Sequence, residues 1–453
     1  MCPSFLSWIL AASSLCTARL PDDSAALRLI RERVETRRNV GMVVGIIDST
    51  GHRRVLAYGS ATDEHQTPLG PNTVFEIGSV TKTFTAAVLA NMVDHGEVSL
   101  DDPVTKYLPP EAHPAARGRT IALLDLATQT SGLPPMPNNF HPGNADNPYA
   151  DYGSAQLYAF LSGYTPPREP GVQYEYSNLG AGLLGHLLSR RAGVSYEQLV
   201  RERILVPLGM SDTKCTLPPD MQPRAAIGHN RDGDPVPNWD FDVLAGAGAL
   251  RSSMHDMLIF LAANLDSAHG PLAGTLHATH HSYRATTLPN TTIGLAWHIL
   301  HAHGTDIVWH NGETAGYHSF LGFDPFRHVG IVVLSNSATS IDDLGLHLLD
   351  ERNELHPPPA PPPEMPQDTA LLRRYAGTYQ LAPGMRLTIT KSVGKLYAQV
   401  TGQQRFRIFP LSDSTYRWTV VDAQLTFHRD ASGAVAGATM RQGGRDMPLA
   451  RVP

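Results

Sequence analysis

Residues Phe75 to Gly96, "FEIGSVTKTFTAAVLANMVDHG", decide how the rest of the chain is read. Phe84, Ala87, Val88, Met92 and Val93 recur at helical spacing, and Gly96 marks a C-terminal stop. The spacing predicts a buried helix whose first turn carries Ser79 and Lys82. At i and i+3 the two polar side chains share one face. A lysine buried there is costly without a partner or a task. The pair reads in two ways: a nucleophile beside an amine of shifted pKa that serves as its base, or a helix start followed by a snorkelling lysine.

Spacing alone does not choose, because Ser-x-x-Lys occurs three times, at Ser79, Ser211 and Ser392. "SDTKCTLPPD" runs straight into Pro218 and Pro219, which leaves Lys214 no helix. "TITKSVGKLYAQV" alternates like a hairpin with Gly394 in its turn, so Ser392 and Lys395 belong to a loop. Only Ser79 heads a buried helix.

Upstream, "DSAALRLIRERVETRR" (Asp23 to Arg38) carries Leu27, Ile30 and Val34 on one stripe and reads as an amphipathic helix. "GMVVGIIDSTGHRRVLAYG" is a strand pair around a tight turn at Asp48–Gly51. Downstream, Ser253 and Asp256 have capping-box spacing and start a helix just after the small-residue run "AGAGAL". From Thr305, "DIVWH", "YHSFLGF" and "VGIVVLSN" are three more strands. A strand pair, helices and then strands predict an α+β domain, its antiparallel sheet assembled from both chain ends and flanked by helices. A long polar loop, Pro134 to Gly153, is either a substrate lip or a mobile connection.

At 453 residues the chain exceeds one ordinary core. The boundary falls at "HPPPAPPPEMP" (His356 to Pro366), a stiff proline-rich spacer. The expected division is a catalytic domain over 22–354, a linker over 355–367 and a small antiparallel β-barrel over 368–453, built from short alternating strands. Residues 1–20 resemble a signal peptide cut near Ala18, although no basic residue precedes the apolar segment. The expected location is therefore periplasmic or secreted, and cytoplasmic if that segment is no signal. Nothing beyond this leader is a candidate membrane span.

A net charge of −6 without a long basic run excludes nucleic acid as the main partner. Three cysteines provide no disulfide framework. The histidine tracts His277 to His281 and His301 to His303 lack the glutamate of a zincin and read as surface residues. No metal or other cofactor is expected.

Two further pieces of chemistry stand out. Tyr176 is the one tyrosine of 15 with an asparagine two places on, Asn178, just before a helix over Leu179 to Arg191. A phenol beside a lysine can shuttle a proton, and Asn178 can offer an acceptor and donors to an amide. The plainer reading is a packed tyrosine with an N-capping asparagine. His310-Asn311-Gly312 is either a hairpin turn or a strand edge where Gly312 and the N–H of Glu313 meet a carbonyl oxygen.

In that order, "FEIGSVTKTFTA", "PGVQYEYSNLGAGLLG", "PLGMSDT" and "HNGETAGYHSFLGFDPFRHVGIVVLSN" resemble the serine β-lactamase and penicillin-binding protein superfamily. The closest likeness is to class C β-lactamases and their DD-peptidase, D-aminopeptidase and esterase relatives. It covers roughly Val43 to Ser337. The barrel, opening on "YAGTYQ", resembles the lipocalin-like addition on some of those enzymes. No Gly-x-Ser-x-Gly elbow is present. The resemblance implies a helical subdomain beside the sheet, Ser79 as acylated nucleophile, Lys82 as its activator and Tyr176 as proton carrier. It also implies an oxyanion hole from the N–H groups of Ser79 and Glu313, with Asn178 orienting the substrate's amide. Whether Lys82 or Tyr176 is the base stays open.

One position departs from the pattern. His310 stands where most β-lactamases and carboxypeptidases have a lysine, so a cation for a substrate carboxylate depends on its protonation. The implied activity is acyl-enzyme hydrolysis of D-amino-acid peptides or β-lactams. The rivals are a carboxylesterase using the same residues, and a non-catalytic binding protein on the same scaffold.

Overall fold

The computed structural model describes residues 20–62, 67–266, 269–359, 365–382, 384–392, 394–401 and 405–452. The signal segment, apart from Leu20, and the middle of the proline-rich linker lie outside them.

The expected strand pair is Gly41–Ile47 (β1) and Arg53–Gly59 (β2), closed by a turn in which Gly51 N–H donates to Asp48 O at 2.8 Å. The helix before it is Asp23–Glu35 (α1), capped by Asp22. The later strands are Arg284–Ala285 (β3), Thr291–Ile293 (β4), His298–Ala302 (β5), Thr305–Glu313 (β6), His318–Asp324 (β7) and Val329–Ser335 (β8). They form one eight-stranded antiparallel sheet in the order β2-β1-β8-β7-β6-β5-β4-β3. The two ends of the domain meet where Met42 pairs with Ser335. The short β3 to β5 extend the sheet beyond the sequence expectation, being too brief to carry an alternating pattern.

Every residue of β1, β7 and β8 is buried, because helices cover both faces. Met42, Val44 and Ile46 pack with Ala26 and Ile30 of α1 and with Leu344 and Leu348 of the helix Asp342–Leu349. Val43, Leu321 and Val332 join the opposite core, with Met254, Met257 and Leu261 of the helix Met254–Leu265. Ser253 caps that helix as its spacing predicts. Between β2 and β3 lie the helices Thr81–Asp94 (α2) and Asn178–Ala192 (α3). The α+β architecture is therefore as expected.

β6 pairs with β5 only as far as Trp309, while its pairing with β7 continues to Glu313. His310 to Glu313 therefore present a backbone edge free of β5. Asn311-Gly312 is not a hairpin turn; the turn comes later, where Thr314 N–H donates to Tyr317 O.

A second compact unit begins at Ala360. Its eight strands, from Gly377–Ala382 to Arg445–Val452, form a closed barrel. The last strand, and a short helix Thr369–Tyr375 ahead of the first, escaped the sequence reading. Tyr375, Tyr379, Tyr416 and Phe427 fill the barrel core, with Tyr375 and Phe427 stacked at 4.1 Å. Among the described residues no helix is long and apolar enough to cross a membrane.

Candidate active site

The nucleophile candidate sits at a junction. The short strand Val74–Glu76 pairs with Arg251–Ser253, Ile77 N–H donates to Leu250 O, and a 3-10 turn Gly78–Val80 leads into α2. α2 is buried on nearly all sides, so its polar groups need internal partners. Thr81 Oγ1 accepts from Leu250 N–H, and Thr85 Oγ1 donates to Gly246 O. Lys82 is 2% exposed. Its Nζ lies 2.8 Å from Ser79 Oγ, 2.8 Å from Asn178 Oδ1 and 2.7 Å from Ala247 O. Burial holds the amine well below the ordinary lysine pKa. Nζ donates to all three oxygens, and none of them carries a charge that would offset the cost of burying an ammonium. The snorkelling alternative does not hold.

Ser177, not Asn178, caps α3, its Oγ accepting from Gly180 N–H at 2.8 Å. That leaves Asn178 as the first helical residue, reaching Lys82 with its Oδ1. Its side chain also lies near enough to Tyr149 to act on that phenol's titration. Asn178 Oδ1 thus holds Lys82 with one of its two lone pairs. Tyr176 stands beside both catalytic candidates: the Ser79 side chain is near enough to act on its phenol's titration, and Lys82 Nζ stands 4.9 Å from its ring centroid. Burial raises the phenol's pKa, so it stays protonated. Tyr174 hydrogen-bonds His298 Nε2 at 3.1 Å.

The free edge of β6 closes the site from the other side. A Cβ on Gly312 would lie 2.0 Å from Ile77 O and 2.9 Å from Ser79 N. A Cβ on Gly78, whose φ is +48°, would lie 2.8 Å from Glu313 N. Only glycine at both places lets the strand press onto the nucleophile's turn. This brings the backbone nitrogens of Ser79 and Glu313 close to the same junction.

Two residues of this strand are engaged by the protein itself. His310 is 1% exposed, with Nδ1–H donating to Asn311 O at 2.5 Å. Burial, reinforced by His298, holds its pKa well below the ordinary histidine value. It is a neutral wall residue, not a cation for carboxylates. Asn311 points its amide to Asp342, with Nδ2 donating to Oδ2 at 2.7 Å, so its side chain braces the sheet.

Several neighbours were missed. Tyr149 of the Pro134–Gly153 loop stacks on Phe241 at 4.4 Å and packs against Trp239 and Phe140. The loop is therefore a packed aromatic wall beside Asn178. Its length and tyrosines were the signal. The wall is anchored by Glu76, which accepts from Trp239 N–H at 2.8 Å and pairs with buried Arg251. Ala247, whose carbonyl holds Lys82, lies in the small-residue run noted above. Arg231 pairs with Glu313 at 2.7 Å. Ser211 is in no helix, and Ser392 pairs with Lys395 across its hairpin. His280 departs from the surface reading of its tract, packing on Trp297 and Phe323. No group of three or more His, Cys, Asp or Glu among the described residues could hold a metal ion.

Comparisons with known proteins agree with this geometry. The family profile described as beta-lactamase matches residues 26–352, and one for a domain of unknown function (DUF3471) matches 361–451. A beta-lactamase of Pseudomonas fluorescens is 28% identical over 65% of this chain and 88% of that protein. The D-alanyl-D-alanine-carboxypeptidase/endopeptidase AmpH of Escherichia coli (strain K12) is 35% identical over 50% of this chain and 58% of its own length. Among solved structures, a class C beta-lactamase superposes with a TM-score of 0.64 at 26% identity, over 72% of this chain and 94% of that one. A D-alanine carboxypeptidase AmpC from Burkholderia cenocepacia gives 0.63 at 26% identity, over 72% and 97%.

Proposed function

Because the chain belongs to the beta-lactamase family, we propose that it is a serine hydrolase that forms an acyl-enzyme on Ser79 and cleaves D-amino-acid peptides or β-lactams. The observation that carries this reading is the desolvated amine of Lys82, 2.8 Å from Ser79 Oγ. Lys82 takes the Ser79 proton as Oγ adds to the substrate carbonyl. The oxyanion is met by the N–H groups of Ser79 and Glu313. As the C–N bond breaks, Tyr176 gives its proton to the leaving nitrogen and is reprotonated from Lys82. Water then adds to the ester carbonyl, the Oγ–C bond breaks, and the proton returns to Ser79.

Opposed directions of titration support one assignment of the roles left open by the sequence. Lys82 is pushed toward the neutral base and Tyr176 toward the protonated acid. Their titrations remain coupled through Ser79.

A second reading, a carboxylesterase on neutral esters, draws support from His310, which supplies no cation. Rates on benzylpenicillin, a D-Ala-D-Ala peptide and a butyrate ester separate the two. Peptidase or lactamase turnover supports the first; hydrolysis of the ester alone replaces it with the second. The apolar N-terminal segment supports export.

A further inference from the structure

Around the nucleophile, positive charge is scarce. Lys82 is buried and committed to three partners, and His310 is buried in the wall. Arg251 is consumed by Glu76, Asp240 and Trp239 O. Arg231 differs from all three. Its side chain is 70% exposed, and its partner, Glu313 Oε1, belongs to the residue whose backbone nitrogen lies beside the nucleophile's turn.

Arg231 is also held in place. It lies in the turn of a small hairpin whose strands, Gly228–His229 and Pro235–Val236, pair at Gly228 and Val236. Asn230 Oδ1 accepts from Asp232 N–H and Asp234 N–H within that turn. His229 N–H donates to Gly316 O, and Tyr317 OH donates to Ala226 O and Asn238 Oδ1. The hairpin is thereby fastened to the turn that ends β6, and the Arg231–Glu313 ion pair ties the guanidinium to the residue that follows Gly312.

We propose that Arg231 is the specificity-determining cation of this site, docking a carboxylate carried by the substrate in exchange for Glu313. This rests on the acyl-enzyme reading above and supplies the carboxylate recognition that His310 lacks. Guanidinium and carboxylate match as a planar fork, with two parallel N–H···O bonds available. An exposed ion pair contributes little to stability, so releasing Glu313 to solvent costs little, and the bidentate contact with the substrate carboxylate sets the preference. Glu313 keeps Arg231 oriented in the empty site and sets a threshold that neutral groups do not cross.

Binding in the Ser79→Ala background tests the proposal without turnover. The ligands are N-acetyl-D-alanyl-D-alanine and its C-terminal amide, measured by calorimetry. The acid is expected to bind roughly 10-fold more tightly than the amide, as one charge-assisted contact permits. Arg231→Gln abolishes that preference and Arg231→Lys keeps part of it. Glu313→Gln, which retains the backbone N–H but removes the competing carboxylate, enlarges it. Equal affinity for acid and amide, or a preference that survives Arg231→Gln, overturns the proposal. Acylation of Ser79 is scored separately in the parent protein. An inert enzyme that still selects the acid through Arg231 sinks the hydrolase reading alone.

Discussion

Lys82 Nζ lies 2.8 Å from Ser79 Oγ, and its two other partners, Asn178 Oδ1 and Ala247 O, are uncharged. With nothing anionic to retain a proton, burial dominates the amine. Its folded pKa lies below the unfolded value near 10.5, so below that pH the unfolded chain takes up a proton the folded chain refuses. Stability is lost as pH falls, until the folded pKa is reached. Lys82→Met removes this dependence while slowing acylation by roughly 10²–10⁴-fold. Relative to the parent, its unfolding free energy rises between pH 9 and pH 6, by at most about 1.4 kcal/mol per pH unit. Urea midpoints at the two pH values check this; an unchanged difference means that Lys82 is charged in the folded protein.

Tyr176 carries the opposite sign. Burial raises its pKa above 10, so it remains an acid throughout the neutral and mildly alkaline range. Tyr176→Phe slows turnover of amides by roughly 10²–10⁴-fold, the usual range for a lost proton-transfer group. p-Nitrophenyl esters lose less, because their leaving group departs as an anion. Equal losses on both substrates would move the proton transfer elsewhere. Tyr174 is the first suspect, although its hydroxyl is engaged with His298.

Gly312→Ala separates the strand from the nucleophile's turn. The new methyl would sit 2.0 Å from Ile77 O and 2.9 Å from Ser79 N, too close for either to stay. Loss of one oxyanion donor costs roughly 10²–10³-fold in kcat. Stopped-flow acylation checks the figure. Parental kcat in this variant would detach the two N–H groups from catalysis.

Trimming tests the division of the chain. Protease is expected to cut between His356 and Gln367, where proline removes the donors that would tie the segment to a sheet. A fragment Asp23–Glu354 keeps acylation, and the barrel with its own core folds separately. Circular dichroism and acyl-labelling of the fragment check both. An unfolded fragment would make the barrel part of the catalytic core.

Much of the sheet was legible because β1 and β8 are nearly continuous apolar runs bounded by turn residues, and β7 carries Phe320, Leu321 and Phe323 between them and β6. Ser79 was legible because only one of three Ser-x-x-Lys repeats heads a helix. Asn311-Gly312 misleads locally: its turn propensity is overridden by pairing with β7 on one side and by the approach of the nucleophile's turn on the other. The charge of His310 stayed open in the sequence because sequence does not register burial. The aromatic wall was not legible either, since Tyr149, Trp239 and Phe241 come from segments about ninety residues apart that tertiary packing alone unites.

The central claim is that Ser79 is acylated, and intact-mass analysis followed by peptide mapping tests it most directly. After brief exposure to benzylpenicillin or a D-alanyl peptide ester, the account predicts one covalent adduct, carried by the peptide containing Ser79. It predicts the same adduct in Ser211→Ala and Ser392→Ala, and none in Ser79→Ala. An adduct that persists in Ser79→Ala, or maps to another residue, contradicts the account.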